Sequence, residues 1–254
     1  MSLFNKQKNT KRKKGVCPVC REKNDVVLNK IGMDGKLKRL LCKKCRCVYL
    51  EHDDFEPPVY NMQYNSEFFR PTDIRKAGIK ACEIAQFIRE KKEHQKILEV
   101  GGGNGLFTML MGAMGFDITL LEIEMSTAIH LKEVIGINVM AGRFEDVILD
   151  PIFTFIYAAH VIEHCINPIK FLQSAKDKLK PKGLLYLETP DTQYITRGGP
   201  EWKHFRTRNN YEHVCMFTEY TFQYIADKMG FKIMRVCENP GYDSVDIVLR
   251  KENE

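Results

Sequence analysis

The chain has 254 residues, 44% of them hydrophobic and 28% charged, which suits a globular protein with one sizeable domain and a small one. No apolar run is long enough to span a bilayer, and no apolar segment follows the basic N-terminus as in a secretory signal, so a cytoplasmic location is expected. Charge is uneven: residues 1–50 hold 15 Lys/Arg against 3 Asp/Glu, a net of +12, whereas residues 51–254 hold 24 against 30, a net of −6.

Residues 1–15 have almost no apolar content and are expected to form a basic disordered tail. Such an arm on a mildly acidic body points to an anionic partner, RNA or a membrane surface; the alternative is a solvated tail with no partner. Residues 16–50 follow, with Cys17-Pro-Val-Cys20 and Cys42-Lys-Lys-Cys45 framing an expected hairpin, Val26 to Leu28 and Leu37 to Leu41. Nine cysteines, an odd number with two paired knuckles, read as a metal site rather than a disulfide framework. Four thiolates at this spacing fit one tetrahedral Zn2+, structural because no position remains for substrate. Cys47 is read as a spectator. Residues 51–72 are a linker or lid with Tyr60, Tyr64, Phe68 and Phe69, and from Thr72 to Lys92 apolar residues recur at helical spacing.

The most informative stretch is Ile97-Leu98-Glu99-Val100-Gly101-Gly102-Gly103-Asn104-Gly105. A buried strand ends in a tight turn into a helix, with Gly101, Gly103 and Gly105 supplying positive φ and a close approach to ligand. A second strand runs from Phe116 to Glu122, and an acid at its end is placed to accept from both ribose hydroxyls of a nucleoside; Glu124 is the substitute. A helix (126–135), a third strand (137–140) and the segment Gly142-Arg143-Phe144-Glu145-Asp146 come next. The fourth strand, Phe153 to Ala158, leads into His160-Val161-Ile162-Glu163-His164, with Asn167-Pro168 as N-cap and first residue of the following helix. Lys180 to Gly183 reads as a turn before a fifth strand, Leu184 to Pro190. A polar loop then carries Trp202, His204, Arg206 and Arg208. Tyr211-Glu212-His213 precedes a helix from Thr218 to Met229, and two strands joined at Pro240-Gly241 close the chain. Repeated βα units and a terminal strand pair predict a doubly wound, mostly parallel seven-stranded α/β sheet over residues 73–254, with ligands at the carboxyl ends of the strands.

The pattern E-x-G-x-G-x-G, the acid at 122 and the H-V-I-E-H-C-I-N-P-I-K-F-L segment, in order over residues 97 to 190, resemble the class I S-adenosylmethionine-dependent methyltransferases. The resemblance implies that Glu99, Gly101, Gly103 and Gly105 pass under the amino-acid part of S-adenosylmethionine. It places Glu122 on the ribose, Phe144 or Glu145 at the adenine, and His160 near the methyl group, touching cofactor or substrate. Arg143 stands where the family's adenine loop has an acid, and Thr154 where many members have Asp. The Tyr211-Glu212-His213 segment is similar to that of methyltransferases from deoxysugar and surface-polysaccharide pathways, some of which carry an N-terminal four-cysteine zinc domain. That implies a small-molecule acceptor, a sugar or nucleotide-sugar, with His213 as general base, Glu212 as its partner, and Tyr211 and His160 as further catalytic candidates. Two rivals are weighed beside it: a zinc-containing ribosomal RNA methyltransferase, which would use the basic arm, and a cofactor-binding zinc module without catalysis. Oligomeric state is not legible.

Overall fold

The computed structural model describes residues 15–23, 26–31, 37–51, 71–90, 95–150, 152–190, 192, 212–239 and 244–252. The basic tail, the aromatic cluster at Tyr60, Tyr64, Phe68 and Phe69, the loop carrying Trp202 to Arg208, and Tyr211 lie outside the described residues.

A small antiparallel sheet is built first, from β1 (Val27–Ile31), β2 (Leu37–Leu41) and β3 (Val48–Glu51). Its first two strands are the expected hairpin, while β3 was not read from the sequence. Four residues are short for a strand and carry no clear alternation. The remainder is α1 (Pro71–Arg89), β4 (Lys96–Val100), α2 (Leu106–Ala113), β5 (Asp117–Glu122), α3 (Met125–His130) and β6 (Val139–Ala141). After these come β7 (Phe153–Ala159), α4 (Pro168–Lys178), β8 (Leu179–Pro190), β9 (Cys215–Met216), α5 (Glu219–Met229), β10 (Phe231–Asn239) and β11 (Ser244–Lys251).

Seven strands form one sheet in the order β10-β11-β8-β7-β4-β5-β6, parallel from β8 to β6 and antiparallel at β10 and β11. The apolar runs of β4, β5, β7 and β8 are buried, as a parallel sheet covered on both faces requires. Asn167 caps α4, its side chain accepting from the Lys170 amide, with Pro168 in the first turn. Gly230 closes α5 in the left-handed region at φ 67°. Lys180 to Gly183 bulge out of β8 as an exposed turn, Lys182 at φ 63°, and β8 pairs with β7 on both sides of it, Leu179 with Phe153 and Leu184 with Phe155. One local expectation is corrected. The helix expected through Ile135 is α-helical only to His130 and widens into a π turn over Leu131–Ile135, ended by Gly136 at φ 80°.

One connection was not foreseen. Strand β9 joins the small sheet, pairing antiparallel with β3, which makes the order β1-β2-β3-β9. The chain after β8 thus returns to the cysteine-bearing segment before α5 begins. Cys17, Cys42, Cys45 and Tyr49 share one continuous apolar core with Leu98, Phe171 and Phe222 of the larger sheet and its helices. Among the described residues no helix is long and apolar enough to cross a membrane.

Candidate functional site

The turn after β4 is shaped by its glycines. Gly101, Gly103 and Gly105 have φ of 71°, 56° and 74°, the left-handed region that disfavours any side chain. The turn is also crowded: a Cβ on Gly101 would lie 2.8 Å from Val161 Cγ2, and one on Gly102 would lie 2.5 Å from Leu120 Cδ1 and 2.8 Å from Glu99 Cδ. Gly102 lies outside the alternating pattern of Gly101, Gly103 and Gly105 and is as tightly packed as Gly101. The three consecutive glycines were the signal. Glu99 is buried beneath the turn, and Thr108 Oγ1 donates to its carboxylate at 2.5 Å. Burial pushes its pKa up to about 7, against the lowering effect of Thr108.

Glu122 ends β5 and is buried, with the Glu124 amide donating to Oε1 at 3.0 Å. Burial raises its pKa, although backbone donors at Glu124, Ile123 and Gly103 favour the charged form. The Gly103 amide thus links this carboxylate to the glycine turn. Glu124 caps α3, accepting from the amides of Ser126 and Thr127, so the substitute acid already has work. In the following segment Phe144 is buried, its ring 4.7 Å from that of Phe171 with the Lys178 ammonium over it at 4.7 Å. This corrects its reading as an adenine contact, because core packing occupies the ring. Glu145 is half-buried and remains the candidate there.

The segment after β7 joins this turn to the other half of the site. His160 takes φ 54°, unusual for a residue other than glycine. Its Nδ1 lies 3.2 Å from Glu163 Oε1 and its Nε2 3.5 Å from Glu188 Oε1. Burial opposes its charge, but the two carboxylates prevail and push its pKa up to about 10. The two carboxylates favour the cationic form of His160, which disfavours it as a base at neutral pH. Glu188 also meets Lys80 Nζ at 3.2 Å, and Lys80 meets Asp246 at 2.9 Å. Lys80, Glu188 and Asp246 were not flagged in the sequence, because they come from α1, β8 and β11 and share no local motif.

His213 lies beside this segment. Its ring is edge-on to that of His164, with centroids 4.9 Å apart, and one ligand atom each of Glu163, His164 and His213 fall within 4.8 Å of one another. Among the described residues, His213 Nδ1 and Glu163 Oε2 are buried with no hydrogen-bond partner. Burial pushes the His213 pKa down to about 4, leaving a neutral imidazole. The carboxylate brought to His213 is that of Glu163, whereas Glu212 contributes its backbone carbonyl, 3.1 Å from His164 Nδ1. Capping does not explain His213, because Thr218 caps α5 through a reciprocal arrangement with Thr221.

The four knuckle cysteines converge. Cys17 Sγ lies 3.5 Å from Cys45 Sγ and Cys20 Sγ lies 3.4 Å from Cys42 Sγ, with all four sulfurs within 4.8 Å of one another. Tetrahedral zinc with bonds of about 2.3 Å would set the sulfurs about 3.8 Å apart, so the donor set fits such an ion. Cys47 is buried outside this set, its thiol directed to the Val48 carbonyl at 3.7 Å.

A family model described as a methyltransferase domain matches residues 75–236. The ubiquinone biosynthesis O-methyltransferase of Rickettsia conorii is 29% identical over 99 residues, covering 37% of this chain and 34% of that protein. The matched segment is therefore about a third of the curated relative's length. In fold, the chain is similar to a SAM-dependent methyltransferase from Aquifex aeolicus, with TM-score 0.57 and 17% identity, covering 76% of this chain and 99% of that one. It is also similar to a protein from Pyrococcus horikoshii, with TM-score 0.56 and 17% identity, covering 76% and 100%.

Proposed function

This chain belongs to the methyltransferase-domain family, and from that premise we propose that it transfers a methyl group from S-adenosylmethionine to a hydroxyl of a small molecule. When bound, S-adenosylmethionine supplies a methyl group already activated on a sulfonium. What the protein must add is alignment of the acceptor and removal of its proton. Gly101, Gly103 and Gly105 would pass under the cofactor's amino-acid end, and Glu122 would accept from its ribose. The observation that carries the acceptor half is the buried, partnerless Nδ1 of a neutral His213. As the acceptor oxygen bonds to the methyl carbon and the carbon–sulfur bond breaks, leaving the neutral thioether S-adenosylhomocysteine, His213 would take the hydroxyl proton, and the buried Glu163 carboxylate would steady the imidazolium that forms. His160, already charged, orients that carboxylate and moves no proton.

A hydroxyl acceptor is favoured by the relatives named as O-methyltransferases, and it accommodates the sugar or nucleotide-sugar indicated by the Tyr211-Glu212-His213 segment. The four cysteines hold a structural zinc in this reading. The test is transfer of labelled methyl groups into three pools: nucleotide-sugars, phenols and RNA. Label in either small-molecule pool supports the proposal. Label in RNA alone would replace it with the nucleic-acid reading, and cofactor binding with no transfer to any pool would favour a non-catalytic module.

A further inference from the structure

Resting on the reading that His213 serves the acceptor, we propose that the four-cysteine module is a positioning element of the reaction site: metal bound by Cys17, Cys20, Cys42 and Cys45 fixes β3, and β3 holds the strand on which His213 is hung. Strand β9 is the weak link. It has only two residues, too few to hold a place unaided. Among the described residues its ladder partner is β3, with Val48 opposite Met216 and Tyr49 opposite Cys215. The Leu50 amide extends the ladder by donating to the Val214 carbonyl at 3.0 Å, one residue from His213. Side chains reinforce the ladder: the fully buried Arg39 guanidinium of β2 contacts Met216 Sδ, and Cys215 Sγ donates to the Cys165 carbonyl. Residues Val214 to Phe217 are thereby buried completely between module and sheet.

Strand β3 is held in turn by the cysteine knuckle. The Cys42 amide donates to the Cys47 carbonyl and the Arg46 amide to the Cys42 carbonyl, folding the second knuckle directly against the start of β3. The module's own strands are short, and the small apolar group they share with Met216 also includes Leu41 and Val48. The other face of the module, with Leu40, Tyr49 and Leu50, packs on the main core, but the two knuckles are loops without a ladder of their own, and metal binding supplies much of the energy that holds them folded. Without the metal, β3 loses its anchor and β9 its register. A slip of one residue would turn each β9 side chain to the other face. The glycine turn is built on β4 and β5 of the other sheet, and its own hydrogen bonds, Gly101 amide to Leu121 carbonyl and Gly105 amide to Gly102 carbonyl, involve neither β3 nor β9.

The experiment uses the full chain, loaded with zinc and then stripped by a chelator. Three readouts are taken: S-adenosylmethionine affinity by calorimetry, carbethoxylation of His213 by diethyl pyrocarbonate followed in its peptide by mass spectrometry, and turnover. Stripping should leave cofactor affinity unchanged and speed His213 modification on the order of tenfold, as local opening becomes easier. Turnover should fall by about 10²-fold, the loss expected from a misplaced catalytic group, and zinc should restore both. A second variant separates metal from strand. The Leu50 amide faces β9 and not β2, so Leu50→Pro removes that donor while the cysteines keep their zinc. It should reproduce the faster modification with zinc retained. The proposal is overturned if zinc does not bind, if His213 reactivity is the same with and without zinc or in zinc-loaded Leu50→Pro, or if stripping abolishes cofactor binding together with turnover. The modification readout needs no acceptor, so a failure of the hydroxyl-transfer reading would leave this test standing.

Discussion

The two halves of the site are built from different material. The cofactor half is a single local turn in which backbone conformation does the work, with three glycines at positive φ and little room for a Cβ. The acceptor half is assembled from side chains of distant segments: His160 to His164 after β7, His213 before β9, and a cysteine module more than 150 residues upstream that holds β9. A turn of the first kind tolerates change in its surroundings and fails abruptly when a glycine is lost. An assembly of the second kind can lose geometry by degrees while every residue remains present.

The largest effect should come from the turn. Gly103→Val places a β-branched side chain at φ 56°, and calorimetry should find no measurable S-adenosylmethionine binding while zinc content stays at one per chain. Retained affinity would break the comparison at its firmer end. Glu122→Ala should be milder, weakening binding by about 1–3 kcal/mol through lost ribose hydrogen bonds.

A subtler effect follows from Glu99, whose burial puts its pKa at about 7. Its carboxylate favours a cationic cofactor only when ionised. Affinity should therefore fall as pH drops below 7, by at most about tenfold per unit; a flat profile from pH 5 to 8 would show that Glu99 only packs. The smallest effect is on stability. The His213 pKa is about 4 when folded against an ordinary 6.5, so the unfolded chain binds more protons between those values. This contribution is fully present above pH 6.5 and is lost as pH falls toward 4. His213→Ala should show a shallower loss of thermal stability than wild type across that window.

The contrast also explains what could be read from the sequence. Glu99, the glycines and Glu122 are close in the chain and belong to one βα unit, so periodicity and turn chemistry placed them at strand ends where the fold has them. The paired cysteines were legible for the same reason, because their spacing is itself the geometry. Phe144 was misread because a buried aromatic and a ligand-facing one look alike in sequence; Phe171 and Lys178, which occupy its ring, lie 27 and 34 residues away. His160 and His213 were both visible as histidines, but not their opposite electrostatics. Glu163 and Glu188 keep one charged, and burial keeps the other neutral. Strand β9 was invisible because two residues carry no period, and its partner β3 belongs to a part of the chain that had been read as separate.

The division of labour between the two halves is tested most directly by measuring S-adenosylmethionine affinity and single-turnover methyl transfer on His213→Ala. Affinity should equal that of wild type while the rate falls by about 10²–10⁴-fold, the usual contribution of a positioned general base. A wild-type rate in the variant, or a loss of rate that merely follows a loss of cofactor affinity, would contradict the account.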